Sequence, residues 1–237
     1  MRYKVSQLQD LITFNGIDVL ALSETWLTEN IADNEVCLAG YRLFRFDRKV
    51  QSCRLEDHDS AYSAVHGGVC IFVKDHLRAV PVNIDVDPSL EILPIRLTSY
   101  KHLPDYIAGS PGAAQQLSVL QLNARSIMPK LSELTTIASS LRSHIIAVTE
   151  TWLSSSVTDG VILLPNDGTF VRADRSSPEK PRRSRGGGSS CSFVTTCSAS
   201  PTPTCASGLK ACGSSCDWKP ASVSNPPFLL LLLCLRR

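Results

Sequence analysis

Very little in this sequence leans to one side. Twenty-four basic residues stand against twenty-two acidic ones, a net charge of +2 over 237 residues. Bulk charge therefore names no partner, and a nucleic-acid partner has to be argued from a site. Long hydrophobic runs are scarce. The first ten residues, Met1 to Asp10, hold no apolar core of the secretory kind, so an intracellular place, nuclear or cytoplasmic, is expected. The longest apolar run, Phe228 to Leu235, has eight residues where a membrane span needs about 20. No membrane anchor is expected from it.

Paired metal-binding cysteines are also missing. Nine cysteines occur, but Cys37, Cys53 and Cys70 are scattered while Cys191, Cys197, Cys205, Cys212, Cys216 and Cys234 crowd the last fifth, and none forms a C-x-x-C pair. Tetrahedral zinc sites bring two closely spaced ligand pairs, and here only Cys212 and Cys216 are close, with no histidine near them. Free thiols in an unstructured tail are the better reading. Gly186-Gly187-Gly188 lacks the strand, helix and lysine context of a phosphate-binding loop.

What the chain does have is one sentence spoken twice. Ala21-Leu22-Ser23-Glu24-Thr25-Trp26-Leu27 returns as Ala147-Val148-Thr149-Glu150-Thr151-Trp152-Leu153, 126 positions later. The match runs without a gap from Lys4/Lys130 to Leu38/Leu164. A repeat of this length decides the organisation before any single residue does. Two related segments stand in tandem, 1–100 and 116–188, separated by a linker at 101–115 that contains Pro104, Gly109, Pro111 and Gly112. From 189 to 237 the sequence is Ser-, Thr-, Pro-, Gly- and Cys-rich and shows neither alternation nor helical period, so a low-complexity, disordered tail is expected there.

The second segment opens on a strand, Leu117 to Leu122, and continues with Leu131, Leu134, Ile137, Ala138 and Leu141 at helical spacing. A buried apolar strand, His144 to Thr149, follows. That is a β-α-β unit. The first segment repeats only its later part: Val5, Leu8, Leu11 and Ile12 mark the helix and Asp18 to Ser23 the strand, with no room for the opening strand. Gly40–Arg48, His66–Val73 and Leu90–Leu97 predict three further strands. In the second segment Phe170–Arg175 predicts a strand, after which Ser-rich sequence stands where a counterpart of Val69–Val73 is expected.

The ordered series Leu122-Asn123-Ala124-Arg125-Ser126, a helix, Ile145 to Leu153, an Asp-Arg pair and a Gly-Gly turn resembles the N-terminal half of the endonuclease/exonuclease/phosphatase family. It is most similar to the endonuclease domains of non-LTR retrotransposons. The resemblance covers most of residues 4–188, twice and incompletely each time. It implies an α/β fold: a partial two-sheet α/β sandwich, duplicated and truncated, with a Mg²⁺-dependent phosphodiesterase site at one edge and DNA as the partner. Carried over by motif, metal binding falls on Glu24 and Glu150, and the catalytic positions are Asn123 and Glu150. A hard cation held by one or two carboxylates and water can polarise a phosphate, so the residue types suit the chemistry. The family's later Asp-x-Asn and Ser-Asp-His motifs have no counterpart here. Asp57-His58 and Asn83-Ile84-Asp85-Val86-Asp87 match only superficially and read better as loop residues.

Each residue has a plainer reading. Glu24 and Glu150 could cap strand ends, although recurrence of one acidic residue after two buried strands favours a metal position. Trp26 and Trp152 are assigned to packing. Asn123 and Arg125 are candidate site residues that would also serve as turn residues. Arg172, Arg175, Lys180, Arg182, Arg183 and Arg185 could meet phosphates or form a solvated loop. The expected function is that of a retrotransposon-type endonuclease domain whose cleavage activity is not expected to survive. The alternative is a non-catalytic remnant or a weak binder of metal or nucleic acid.

Overall fold

The computed structural model describes residues 1–48, 67–87, 90–98, 116–153 and 156–162, together with the backbone of strands at 169–173, 191–195, 209–211 and 230–234. In chain order these are helix α1 (Val5–Asn15), strands β1 (Val19–Ser23), β2 (Tyr41–Phe46), β3 (Val69–Lys74), β4 (Arg78–Pro81), β5 (Glu91–Thr98) and β6 (Gln116–Asn123), then helix α2 (Leu131–Leu141). After α2 come β7 (Ile145–Thr149), β8 (Thr169–Ala173), β9 (Cys191–Thr195), β10 (Leu209–Ala211) and β11 (Leu230–Cys234). No helix among the described residues is long and apolar enough to cross a membrane.

The strands form two sheets, ordered β10-β11-β1-β3-β2 and β4-β5-β6-β7-β9-β8. Alternation along each strand divides its side chains between two packing layers. On β1, Val19 and Ala21 join Val69, Ile71 and Val73 of β3 in a core that also takes Ile95 and Leu97 of β5, Val119 of β6, and Ile145 and Ala147 of β7. That core lies between the sheets. The opposite faces are covered by helices: Leu8 and Ile12 of α1 pack on Leu20, Leu22, Cys70 and Phe72, and Leu134, Ile137 and Ala138 of α2 pack on Leu120, Leu122, Ile146 and Val148. The result is a four-layer helix-sheet-sheet-helix sandwich, and it explains why β1 and β7 are buried along their whole length.

Both helices have apolar stripes at the spacing read from the sequence, and both end on a left-handed residue. Gly16 (φ +62°) sends its N–H back to the Ile12 carbonyl, and Arg142 (φ +47°) sends its own to Ala138 and Ser139. Glycine at such a position carries no steric cost, whereas arginine pays about 1 kcal/mol. The expected β-α-β unit is present as β6-α2-β7, with β6 and β7 parallel.

The structure departs from the sequence reading in four places. First, strand β4 was not expected. It hairpins onto β5, Arg78 opposite Thr98. Second, β9 occupies the place where only Ser-rich sequence was expected, antiparallel to β7 and to β8. Third, the stretch 189–237 contributes three strands, although its composition predicted no regular structure. Leu229 to Leu233 has strand length, but it stands in Ser- and Pro-rich sequence with no alternation, and only the sheet edge it fills marks it as a strand. Fourth, the two segments share one sheet. The linker at 101–115 lies outside the described residues, but on either side of it β5 and β6 pair antiparallel over eight residues, Glu91 opposite Asn123.

Candidate functional site

The Glu-Thr-Trp-Leu repeats sit at the carboxyl ends of β1 and β7, and the backbone there leaves ordinary strand geometry. Of seven non-glycine residues with positive φ among the described residues, six are Glu24, Trp26, Arg125, Ser126, Glu150 and Trp152; the seventh is the helix cap Arg142. Residues held in this region cost about 1–3 kcal/mol each, and such strain gathers where a site is built. The two repeats adopt one local structure. Glu24 and Trp26 have φ of 55° and 52°, Glu150 and Trp152 both 52°. In each, the indole N–H donates to the glutamate two residues earlier, Trp26 to Glu24 at 2.9 Å and Trp152 to Glu150 at 2.7 Å. Packing was expected of the tryptophans; Trp26 is half-buried but Trp152 is 48% exposed, and both indoles orient the carboxylates.

Strand alternation then brings the segments together. On β6, Val119 faces the second sheet's partner, so Gln121 and Asn123 point the same way. The Asn123 amide Nδ2 donates to Glu24 Oε1 at 2.8 Å and to Glu91 Oε2 at 2.9 Å. Glu24 belongs to the first segment and Asn123 to the second. Nothing in the local sequence shows this pairing, because 99 residues separate the two. Glu150 follows Thr149, the parallel partner of Asn123, and is buried at the same end of β7.

Glu91 was missed from sequence. It lies in β5 directly opposite Asn123, is 4% exposed, accepts the Gly68 N–H at 2.9 Å, pairs with Arg125, and has Arg48 Nε at 3.8 Å. A glutamate opening an apolar strand offers no motif, and only the antiparallel register with Asn123 shows its place. Burial first, and then the neighbouring Arg125 cation, hold Arg48 below the usual arginine range. The same two causes lower Lys130, whose ammonium donates to the Ala124 carbonyl. Three carboxylates, Glu24, Glu91 and Glu150, and three cations, Arg48, Arg125 and Lys130, therefore share this edge.

Gly67 and Gly68 close the site. Their carbonyls accept the N–H groups of Trp26 at 2.9 Å and Thr25 at 3.3 Å. Gly67 has φ +124°, and a Cβ there would stand 2.5 Å from Glu91 Oε1 and 2.8 Å from Arg125 Nη2. The predicted Gly-Gly turn is thus a requirement of both backbone and space.

A hard cation fits part of this arrangement. Asn123 Oδ1 is buried and has no hydrogen-bond partner, beside the Glu24 carboxylate. Oxygen donors of this kind suit Mg²⁺, which keeps several of its own waters. No group of three His, Cys, Asp or Glu side chains suited to a metal occurs among the described residues. Glu24 and Asn123 are the groups that could hold such an ion, with Glu91 already engaged by guanidinium.

Among the described residues no histidine stands at this edge. His144 accepts the Ser118 N–H at the start of β6, and His76 follows β3, so both described histidines lie at the opposite end of the sheets. Asp57-His58 lies outside the described residues, as do Cys212, Cys216 and the basic side chains from Arg172 to Arg185. Ile84 and Val86 pack against the α2 layer, while Asp85 and Asp87 line an open recess of about 560 Å³, in keeping with loop carboxylates.

No family model matches the chain, and no curated protein does. Among solved structures it is similar to a humanized D. rerio TDP2 carrying 14 mutations, at 13% identity and a TM-score of 0.42, over 84% of this chain and 77% of that one. It is similar to the human Nocturnin catalytic domain with bound sulfate, at 14% identity and a TM-score of 0.35, over 82% and 87% of the two chains. A Bacteroides thetaiotaomicron mannosyl-6-phosphatase follows at 9% identity and a TM-score of 0.38, over 81% and 76%. At such values the chemistry has to be argued from this chain's own residues.

Proposed function

We propose that this chain is an endonuclease/exonuclease/phosphatase-type sandwich related to retrotransposon DNA endonucleases, in which a duplicated first half stands in for the missing second. Its composite edge binds a divalent cation, Mg²⁺ in the cell, and a DNA phosphate. Cleavage is strongly impaired. The observation that carries this reading is the meeting of Glu24, Glu91 and the unpartnered Asn123 Oδ1 at one end of both sheets.

Glu24 and Asn123 would hold the cation, and Glu150 stands by as the repeat's second metal-binding candidate. The cation when bound would polarise a phosphate oxygen and stabilise developing negative charge. Arg48 and Arg125, each about a third exposed at 33% and 32%, can present guanidinium N–H groups to a phosphate while Glu91 fixes their placement. Asn123 would orient Glu24 through its amide. General acid-base assistance is worth about 10²–10⁴-fold in rate, and no described side chain at this edge is a histidine to supply it.

The test compares the wild-type protein with a Glu24→Ala/Glu150→Ala double variant in Mg²⁺-dependent DNA binding and in nicking of supercoiled plasmid. Mg²⁺-dependent binding that the double variant loses, with equal background nicking in both, is the expected result. Nicking that the variant loses would establish an active enzyme. Absence of Mg²⁺-dependent binding in the wild type would favour the second reading, a folded remnant without ligand.

A further inference from the structure

Trp152 differs from everything around it in exposure. Thr151 and Leu153 on either side are buried, yet Trp152 is 48% exposed. Its equivalent Trp26 has the same backbone conformation and the same bond to a glutamate but is half-buried. Exposure therefore belongs to the surroundings of the second repeat and not to the motif. The indole is also held in place. Ile127 and Leu153 are anchored in the α2 layer, the Ser126 and Ile127 N–H groups donate to the Glu150 and Thr151 carbonyls at 2.8 and 3.1 Å, and the indole N–H donates to Glu150 at 2.7 Å. Met128, 43% exposed, follows Ile127 as Trp152 follows Thr151, so the two bonded segments end on two exposed apolar side chains.

We infer that the exposed indole of Trp152 is a stacking platform for an unpaired nucleobase, so that the ligand of this edge is DNA with single-stranded character and not an intact duplex. The inference rests on the proposed function and narrows its substrate class. Sites for single strands combine cations that follow the phosphate backbone with aromatic rings that take the bases. Both are present here. Arg125 stands on the segment bonded to the Glu150–Thr151 turn, its guanidinium 32% exposed, and Arg48 joins it through Glu91. A nucleotide meets both groups, phosphate on guanidinium and base on indole, whereas a purely apolar partner would leave the guanidinium groups unmatched. With the indole N–H engaged by Glu150, what the ring offers a ligand is its face. In a duplex the base faces are covered by their neighbours, so only a frayed, extruded or single-stranded base can reach that face.

The test measures binding of the full chain, in Mg²⁺, to three labelled probes: a short oligothymidylate, the same backbone made abasic throughout, and a hairpin duplex. Wild type, Trp152→Ala and Trp152→Phe are compared. Wild type is expected to prefer the oligothymidylate, and Trp152→Ala to bind it about fivefold or more weakly, the value of one stacked base, with the abasic and duplex probes little changed. Trp152→Phe keeps a ring face but, like the alanine variant, lacks the N–H bonded to Glu150, and it is expected to retain most of the preference. Phenylalanine as weak as alanine would overturn the inference, because the indole would then act through Glu150. Equal binding of every probe by wild type and Trp152→Ala would overturn it while leaving the cation and phosphate reading intact. Loss of self-association in Trp152→Ala with DNA binding unchanged would assign the patch to a second copy and also overturn it. A wild type that binds none of the probes would sink the inference together with the proposed function.

Discussion

Removing Glu91 should destabilise the protein more than any motif residue of the site. The carboxylate is 4% exposed and serves four partners: the Gly68 N–H, the Asn123 amide, Arg125 and Arg48. In Glu91→Ala the Gly68 N–H stays buried without an acceptor, which costs about 1–3 kcal/mol. The arginines are 32% and 33% exposed and recover water, so each adds less than about 1 kcal/mol. Asn123 keeps Glu24 and adds little. The sum is a loss of about 2–4 kcal/mol, read as a lower urea midpoint at constant slope. Glu91→Gln retains one acceptor oxygen and should lose roughly half as much. A Glu91→Ala midpoint within about 0.5 kcal/mol of wild type would refute the burial and partner argument.

Gly67→Ala should lose about 1–3 kcal/mol in the same assay, since its φ of +124° and the 2.5 Å approach to Glu91 leave a methyl group no room. Gln121 is fully buried between the sheets with neither amide atom partnered, so Gln121→Met should raise stability by about 1–2 kcal/mol. Burial holds His144 below its ordinary pKa of 6.5, and its Nδ1 accepts the Ser118 N–H only when unprotonated. The unfolded chain therefore takes up the proton first, and stability should fall as pH drops below about 6.5. His144→Gln should flatten that part of the urea-midpoint profile. Of the two cysteines whose side chains are described, exposed Cys37 should alkylate in the native state, whereas Cys70, buried beneath α1 with its thiol pKa pushed up, should react only on unfolding.

Elements whose periodicity is local were legible in the sequence. α1, α2, β1, β6 and β7 carry apolar stripes or runs that need no knowledge of their neighbours. β9 and β11 were not, because a strand flanked by Ser-rich or tail sequence acquires its meaning from the edge it fills, β7 for one and β1 for the other. The site divides in the same way. Glu24 and Glu150 stand in a repeated motif and Asn123 ends a strand legible from its own apolar run, so their places at strand ends could be read. Glu91 and Arg48 enter through the β5–β6 register and the Gly67–Gly68 approach, which are properties of the assembled sheets. The repeat suggested two separate, incomplete copies, yet pairing of β5 with β6 joins them in one sandwich.

The central claim is that Glu24 of one repeat and Asn123 of the other serve one cation. Its most direct test is a Mn²⁺ titration followed by electron paramagnetic resonance on wild type, Glu24→Gln, Asn123→Ala and Glu150→Gln. A bound ion in wild type that both Glu24→Gln and Asn123→Ala weaken by about tenfold or more is the predicted result. Binding unchanged in those two variants, or lost only in Glu150→Gln, would contradict the composite site.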